Sequence, residues 1–155
     1  MSSSTKVSNP ALQPLEVFAG TWDAEIRWSP KTHKLVGGPP TVRGTSRFEW
    51  IEDGHFLVQH QRAEGSPDAR WLMGPDETSA EYGVLYADGR GVSRVYEMSL
   101  RDRVWRIWRN APGFNQRFEG RISADGRSIK AHWEQSSDGE TWVRDFELNY
   151  VKTDG

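Results

Sequence analysis

The amino-acid sequence predicts an all-β protein, folded as a single antiparallel up-and-down β-barrel of about eight to ten strands with a short N-terminal helix. Apolar and polar residues alternate with a period of two along most of the chain. Asp-Gly pairs, which favour tight hairpins, separate the alternating segments. The chain has 155 residues and no cysteine, so it is long enough to bury one core and has no disulfide framework. Closure into a barrel removes the exposed edges of such a meander.

The N-terminal segment divides into a leader and a helix. Residues 1–9 are rich in serine and lack an apolar stretch, which predicts a flexible leader, no secretory signal, no membrane span and a cytoplasmic location. In residues 10–20, Leu12, Leu15 and Phe18 recur every third position, and Gly20 suits a helix C-cap. This spacing predicts a short helix. The barrel domain is therefore expected to span residues 10–153.

Strand-like alternation starts after the helix and continues towards the C-terminus. In the first strand the apolar positions are Trp22, Ala24, Ile26 and Trp28. Eight further strands are predicted at residues 42–52, 55–63, 80–87, 92–99, 103–109, 114–123, 128–136 and 140–151. Asp-Gly turns lie between them at residues 53–54, 88–89, 125–126 and 138–139. Neighbouring strands in the sequence are thus expected to be neighbours in the sheet.

Two connections, residues 29–41 and 64–79, are longer than the others. The connections of a meander alternate between the two ends of the barrel, and these are the first and the third. Both are therefore predicted at one end, the open mouth. The turns at residues 53–54, 88–89 and 138–139 are then predicted at the opposite, closed end, with the helix and Trp22. The second long connection carries Trp71, Leu72 and Met73, which predicts a lid over the mouth or a homodimer contact.

Charge and motifs exclude several classes of function. Twenty basic residues against 22 acidic ones give a net charge of −2, so neither nucleic acid nor a membrane is expected as a partner. The chain has no Gly-x-Ser-x-Gly elbow, no glycine-rich phosphate loop and no closely spaced histidine pair. We therefore expect no serine hydrolase of that design, no nucleotide enzyme and no metal site. Eight Trp, six Phe and four Tyr favour a small apolar or aromatic molecule as the partner.

The candidate ligand contacts are separated from apolar residues of the same strand by an even number of positions, so they are predicted to lie on the inner face with them. They are Trp28, Trp50, His60, Arg62, Tyr82, Tyr96, Gln116 and Arg144. Their rings would form pocket walls, and their polar groups would orient a mostly apolar ligand. The alternative for each is structural, with rings that pack the core and polar groups that bond to one another or face the solvent. Whether side chains fill the interior decides between the two.

Several segments resemble known families. Residues 20–22, Gly-Thr-Trp after a helix and before the first strand, resemble the Gly-x-Trp signature of the calycin superfamily of lipocalins and fatty-acid-binding proteins. Residues 91–98, 105–114, 125–127 and 133–142 resemble a bacterial lipocalin-like domain family of unknown function. This resemblance covers most of residues 10–152. It implies a barrel fold and leaves the activity open, because a fold does not fix a function.

The resemblance also bears on Arg144 and on haem. An inward arginine near the end of the barrel holds the ligand carboxylate in fatty-acid-binding proteins, and an arginine often stacks on the floor tryptophan in lipocalins. Arg144 resembles both, with Trp22 as the ring in the second case. Nitrobindin-like calycins bind ferric haem through a histidine of the C-terminal half and begin with Gly-x-Trp-x-Gly-x-Gly. Here residues 23–25 are Asp-Ala-Glu, and the last histidine is His132. No cofactor is therefore predicted, and haem is disfavoured.

Three functions remain open from the sequence. The first is binding of a small hydrophobic or aromatic molecule inside the barrel cavity. The alternative is an enzyme of the isomerase, cyclase or hydratase type, acting on a small secondary metabolite in the same cavity. His60, Tyr96 or Glu97 would then supply acid–base help, and no catalytic residue is assigned. The third is a protein-interaction barrel with a filled core that uses the loop containing Trp71 as its contact.

Overall fold

The computed structural model describes residues 6–153 as a closed barrel of ten antiparallel strands. A 3-10 helix, Pro10–Phe18, precedes the barrel, an α-helix, α1 (Pro30–Val36), follows the first strand, and a short 3-10 turn spans Glu52–Gly54. The strands are β1 (Gly20–Trp28), β2 (Thr41–Ile51), β3 (Phe56–Ala63), β4 (Ala69–Pro75), β5 (Tyr82–Asp88), β6 (Ser93–Arg101), β7 (Val104–Arg109), β8 (Asn115–Ile122), β9 (Ser128–Ser136) and β10 (Val143–Lys152). The predicted all-β fold with a short N-terminal helix is confirmed.

Each strand pairs with the next along the chain, and β1 closes the ring by pairing with β10. That closing ladder runs from Trp22 opposite Lys152 to Trp28 opposite Phe146. Every strand therefore has two partners, and no backbone edge is left to pair with another chain. The up-and-down topology predicted from the Asp-Gly turns is confirmed.

The strand count is one higher than predicted, because residues 69–75 form a strand. In β4, Met73 pairs with Leu57 of β3 on one side and with Val84 of β5 on the other. Trp71 and Met73 are buried. The prediction that these residues form a loop over the mouth is thus wrong, whereas the predicted homodimer contact stays a prediction. The segment was missed because three consecutive apolar residues, Trp71 to Met73, hide the alternation of a strand.

The additional strand reverses the end at which the later connections lie. The helix end, as we call it, holds the 3-10 helix and the connections 52–55, 76–81, 102–103 and 123–127. The mouth end holds the connections 29–40, 64–68, 89–92, 110–114 and 137–142. The turns at residues 88–89 and 138–139 therefore lie at the mouth end, and their predicted position at the closed end is wrong. The turn at residues 53–54 does lie beside the helix.

The 3-10 helix closes the helix end. Its three-residue repeat places Leu12, Leu15 and Phe18 on one face, and all three are fully buried. Below them, Trp22 Nε1 donates to the carbonyl of Phe18 at 2.8 Å, and Lys152 Nζ lies 5.3 Å from the centroid of the Trp22 ring. Lys152 thus lies over Trp22, the tryptophan at the barrel floor. Stacking on this ring was one of the two roles that the resemblance implied for Arg144.

The predicted leader lies only partly within the described part of the chain. Residues 1–5 are outside it. In the described remainder, the backbone N–H of Ser8 donates to the carbonyl of Gly54 at 3.1 Å. The segment that precedes the helix is therefore attached to the connection between β2 and β3. None of the helices in residues 6–153 is both long enough and apolar enough to cross a membrane.

Aromatic side chains fill the lumen from the helix end to about its middle. The strands β4 and β9 lie on opposite walls, and their residues Trp71 and Trp133 meet across the lumen, with ring centroids 5.9 Å apart and planes inclined by 28°. Closer to the helix end, Phe18 packs between Phe48 and Trp105, at 5.3 Å and 4.5 Å. A ligand therefore cannot reach the floor of the barrel without displacing these rings.

Candidate functional site

The mouth end of the lumen lies above the Trp71–Trp133 pair. We call it the mouth basin, and its polar wall consists of the inward-facing residues Gln61, Tyr86, Arg94, Tyr96, Arg109, Gln116 and Gln135. The ladder fixes their direction, because paired residues of neighbouring strands face the same side. Arg109 pairs with Gln116 two positions beyond the buried pair Ile107 and Phe118, so both face the interior.

The floor of the basin is aromatic. The Trp71 ring contacts Tyr86 at 4.6 Å and Tyr96 at 5.2 Å between centroids, and Tyr96 lies 5.9 Å from Trp133. These edge-to-face and tilted arrangements are the favoured geometries of aromatic pairs. Four rings from four different strands thus form a continuous surface. Trp71, Tyr96 and Trp133 are 7%, 2% and 6% exposed, so Tyr86 is the ring of the four that is most open to a molecule at the mouth.

Two glutamines hold the floor rings in place. Trp71 Nε1 donates to Gln61 Oε1 at 3.0 Å, and the Tyr96 hydroxyl donates to Gln116 Oε1 at 2.7 Å. Burial raises the pKa of Tyr96, and the Arg94 guanidinium opposes that shift. The Tyr96 hydroxyl is therefore neutral at physiological pH. Each glutamine keeps its amide N–H groups as donors for a bound molecule.

Two guanidinium groups face the basin. The Arg94 carbon Cζ lies 5.3 Å from the centroid of the Phe114 ring and 6.0 Å from that of Tyr86. Both Arg94 and Arg109 are partly buried. Among residues 6–153, no carboxylate lies within the ion-pair distance of 4.0 Å of either group. A partly buried guanidinium without a counter-charge favours an anion beside it.

The acidic residue Asp88, at the mouth end of the neighbouring strand β5, is already engaged. Its carboxylate oxygen Oδ2 accepts from Arg90 at 2.7 and 3.1 Å and from the Tyr86 hydroxyl at 2.5 Å. Only 1% of its side chain is exposed. Arg90 and then Tyr86 hold the pKa of Asp88 well below its usual range, and burial together with Asp88 raises the pKa of Tyr86 to about 12. Asp88 therefore fixes the Tyr86 ring and is paired with Arg90.

Five of the eight predicted ligand contacts face the interior. Tyr96 and Gln116 line the mouth basin, and Trp28 lies at the same end against Phe146, with ring centroids 5.1 Å apart. The other two lie at the helix end. Tyr82 donates its hydroxyl to the carbonyl of Ala11 at 3.0 Å, and Trp50 Nε1 donates to Glu16 Oε2 at 2.6 Å. Tyr82 and Trp50 thus attach the 3-10 helix to the barrel wall.

The predicted inward direction of His60 and Arg62 is wrong. In β3 the residues that face the interior are Leu57, Gln59 and Gln61, as their pairing with buried residues of β2 requires. On the outer face, His60 Nε2 lies 3.0 Å from Glu49 Oε1, and Arg62 pairs with Asp68. The phase was misassigned because Phe56, Leu57 and Val58 are all apolar, so that either face could be the inner one.

The predicted inward direction of Arg144 is also wrong. A bulge in β10 between Arg144 and Phe146 reverses the phase of the strand at that point. Phe146 and Leu148 face the interior, and the Arg144 guanidinium lies outside, 3.7 Å from Glu147. The extra residue, Asp145, accepts a hydrogen bond at 2.8 Å from the hydroxyl of Thr32 in α1, which ties the helix to the mouth.

The groups considered for acid–base catalysis lie mostly outside the basin. His60 faces the solvent side of β3, and Glu97 is exposed and accepts from Trp108 Nε1 at 3.1 Å. Tyr96 alone of the three is in the basin. The sequence did contain a signal for Arg94 and Arg109, because each alternates with buried residues of its own strand, such as Met98 and Ile107.

A separate depression of 380 Å³ lies against β7, β8 and β9, and the charged residues around it belong to the outer face. Its cations already have partners. Arg106 lies 3.5 Å from Glu119, and Arg117 lies 2.8 Å from Glu134. This face is a solvated network of ion pairs, which explains its charges without a ligand.

Comparison with known proteins supports the fold. No protein-family model matches the chain, and no curated protein sequence matches it. Among solved structures, the crystal structure of Rv2717c from M. tuberculosis is similar, with a TM-score of 0.63 and 15% sequence identity over 96% of this chain and 99% of that one. At this identity the likeness concerns the fold alone. Together with the closed antiparallel barrel it is consistent with the calycin-like architecture that the resemblance implied.

Proposed function

We propose that the protein is a calycin-like barrel that binds a small, flat organic anion in the mouth basin. The observation that carries this proposal is the pair of guanidinium groups, Arg94 and Arg109, which face the basin without a carboxylate partner in the described part of the chain. Their planar, fixed charges suit a carboxylate, which accepts two parallel hydrogen bonds. The aromatic floor below them suits the conjugated remainder of the ligand.

The geometry limits the size of this ligand. The Trp71–Trp133 contact closes the lumen beneath the basin, so a long acyl chain has no channel to enter. A ring system would lie on Tyr86, the most exposed of the floor rings, and direct its carboxylate towards the arginines. The amide groups of Gln116 and Gln135 supply further hydrogen bonds at the same level. The sequence predicted a small hydrophobic or aromatic molecule inside the barrel cavity, and the present proposal specifies an aromatic acid held near the mouth.

We propose binding and not catalysis as the activity. His60 and Glu97 face outwards, and the basin residue Tyr96 is neutral, with a raised pKa and a hydrogen bond to Gln116. This arrangement favours recognition over proton transfer. The cytoplasmic location, and the expectation of no cofactor, no nucleic acid and no membrane as partners, stay predictions of the sequence.

Calorimetric titration with two matched molecules tests the proposal. The probes are 2-naphthoate and its neutral analogue 2-naphthalenemethanol, which share the ring system and differ in charge. The protein is expected to bind the acid more tightly. Arg94→Gln and Arg109→Gln should each weaken naphthoate binding by about 10- to 100-fold, the effect of losing one hydrogen bond to a charged group. Arg94→Lys keeps the charge and should lose less.

Arg62→Gln is the matched control, because Arg62 lies on the outer face and pairs with Asp68. It should leave naphthoate binding unchanged. Equal affinity for the acid and the alcohol would contradict the role of the two arginines. An equal loss in Arg62→Gln and Arg94→Gln would contradict the location of the site. Native mass spectrometry of protein purified from its host would then identify the class of any retained molecule.

A further inference from the structure

An apolar stripe crosses the outer face of four neighbouring strands. Val58, Leu72, Leu85 and Val95 occupy consecutive paired positions of β3, β4, β5 and β6, so their side chains form one row. Val95 is 71% exposed and Leu85 is 47% exposed. Outward positions of β7, β8 and β9 carry ion pairs instead, such as Arg117 with Glu134. Leu72 is partly exposed and Val58 is 7% exposed, so Leu85 and Val95 form the exposed part of the row. Neighbouring exposed apolar residues on an otherwise charged wall are typical of an interaction surface.

A recess lies next to this stripe. Gly74 and Gly83 face each other across β4 and β5, on the same side of the sheet as Leu72 and Leu85. The Phe56 ring covers Gly74, where an added Cβ would meet it at 3.0 Å. A Cβ added at Gly83 would meet no atom within 4 Å, so the space above Gly83 is open. A protruding residue, Leu85, thus stands beside an open recess of the same wall.

Charge differs between the two flanks of the stripe. On the mouth side, a cleft of 790 Å³ is lined by Arg47, His60, Arg62 and Arg70 together with the acidic residues Asp68 and Asp88, so basic side chains are in excess there. Arg47 and Arg62 pair with Glu49 and Asp68, whereas Arg70 has no carboxylate within ion-pair distance among residues 6–153. The flank towards the helix end carries the acidic residues Asp76, Glu77, Glu81 and Glu97, with Arg101 beside Glu81.

We infer that this face is the interface between two copies of the chain, related by a two-fold axis that lies in the plane of the interface and runs parallel to the stripe. Such an axis exchanges the two flanks, so the basic cleft of each copy faces the acidic flank of the other. It also seats Leu85 of one copy near the recess at Gly83 of its partner. The mouth basins lie at the barrel ends and stay open, so this interface is independent of the proposed ligand site.

Single cysteines test the interface, because the chain has no cysteine of its own. In a two-fold interface a residue near the axis lies close to its own copy. Leu85→Cys should therefore form a disulfide-linked dimer under mild oxidation. The matched control is Val151→Cys, at a residue that is 57% exposed on the outer face of β10, on the opposite wall. It should remain monomeric on a non-reducing gel.

Sedimentation of the unmodified chain gives the second measurement. At about 100 μM, where a micromolar interface is largely populated, the chain should sediment as a dimer. Leu85→Lys and Val95→Lys should sediment as monomers with unchanged circular dichroism, and Val151→Lys should stay dimeric. High salt should weaken the dimer, since charged flanks face each other. A monomer at this concentration, or a Leu85→Lys variant as dimeric as the parent, would overturn the inference.

Discussion

Replacement of Trp71 by serine tests whether this residue belongs to a buried strand. Trp71 is 7% exposed, and a buried aromatic side chain removes about 150–250 Å² from water. At about 25 cal/mol per Å², this burial corresponds to about 4–6 kcal/mol of transfer free energy. The substitution also leaves Gln61 Oε1 without its donor. Because the surroundings collapse in part, we expect a loss of about 4 kcal/mol, within the range of about 3–5 kcal/mol for such core truncations.

Urea unfolding followed by far-ultraviolet circular dichroism measures this loss. The midpoint should fall while the slope stays constant, since the surface exposed on unfolding changes little. The thermal midpoint should fall by about 8–16 °C, at about 2–4 °C per kcal/mol for a chain of this size. Leu35→Ser is the matched control. Leu35 is 80% exposed in α1, and its replacement should change the free energy of unfolding by less than about 0.5 kcal/mol.

A loss below about 1 kcal/mol in Trp71→Ser would refute the reasoning, because surface substitutions have effects of that size. Residues 69–75 would then be an exposed loop, as the sequence alone suggested. The contact between Trp71 and Trp133 would be absent, and the floor of the mouth basin with it. The barrel would then enclose a deeper cavity, and the limit on ligand size would no longer hold.

Two further predictions concern acid and the barrel floor. Hydrogen bonds from the backbone N–H of Thr141 and its neighbours lower the pKa of Asp138 to about 2. A lowered folded-state pKa stabilises the fold above the unfolded value of about 4, and that contribution is lost as the pH falls towards 2. Asp138→Asn should therefore show a shallower decline in the free energy of unfolding between about pH 5 and pH 2, and identical declines would contradict this assignment. Lys152→Met removes the cation above Trp22 and keeps the apolar stem, so urea unfolding should show a loss of about 1 kcal/mol, whereas an unchanged midpoint would exclude a stabilising cation–π contact.

Local signals predicted the parts of the fold that depend on neighbouring residues. The spacing of Leu12, Leu15 and Phe18 indicated the helix, and all three are buried. The Asp-Gly pairs indicated the hairpins that separate the strands, and each marks a connection between consecutive strands. These features were accessible because helix periodicity and turn chemistry act within a few residues.

Features that depend on partners across the sheet were not accessible in the same way. β3 and β4 each contain three consecutive apolar residues, so apolar side chains lie on both faces of the strand. The alternation therefore did not show which face is the inner one, or that Gln59 and Gln61 point inwards. The bulge at Asp145 reverses the direction of Arg144, and no residue type announces it. Pairing with neighbouring strands decides both cases, and that pairing involves residues far away in the sequence.

Only part of the candidate site was predicted from the sequence, because the rest depends on contacts between strands. Tyr96 and Gln116 were identified because they alternate with apolar residues. Arg94 and Arg109 obey the same alternation, but arginine at the end of a strand is usually solvated, and the pattern alone does not show which charges lack a counter-ion. Only the structure shows that Asp88 is bound to Arg90 and that the other two guanidinium groups face the basin.

The Trp71–Trp133 contact separates the barrel into two parts that differ in how they open. Backbone amides near the mouth lie above the contact and exchange with solvent through local fraying of strand ends. We expect amides between it and the 3-10 helix, which lie around the filled core, to exchange only when the whole chain unfolds. The rim of the basin can therefore accept new side chains during evolution while the lower core retains the folding free energy. If the proposed site is occupied, one fold can in this way change its ligand without first acquiring a more stable scaffold.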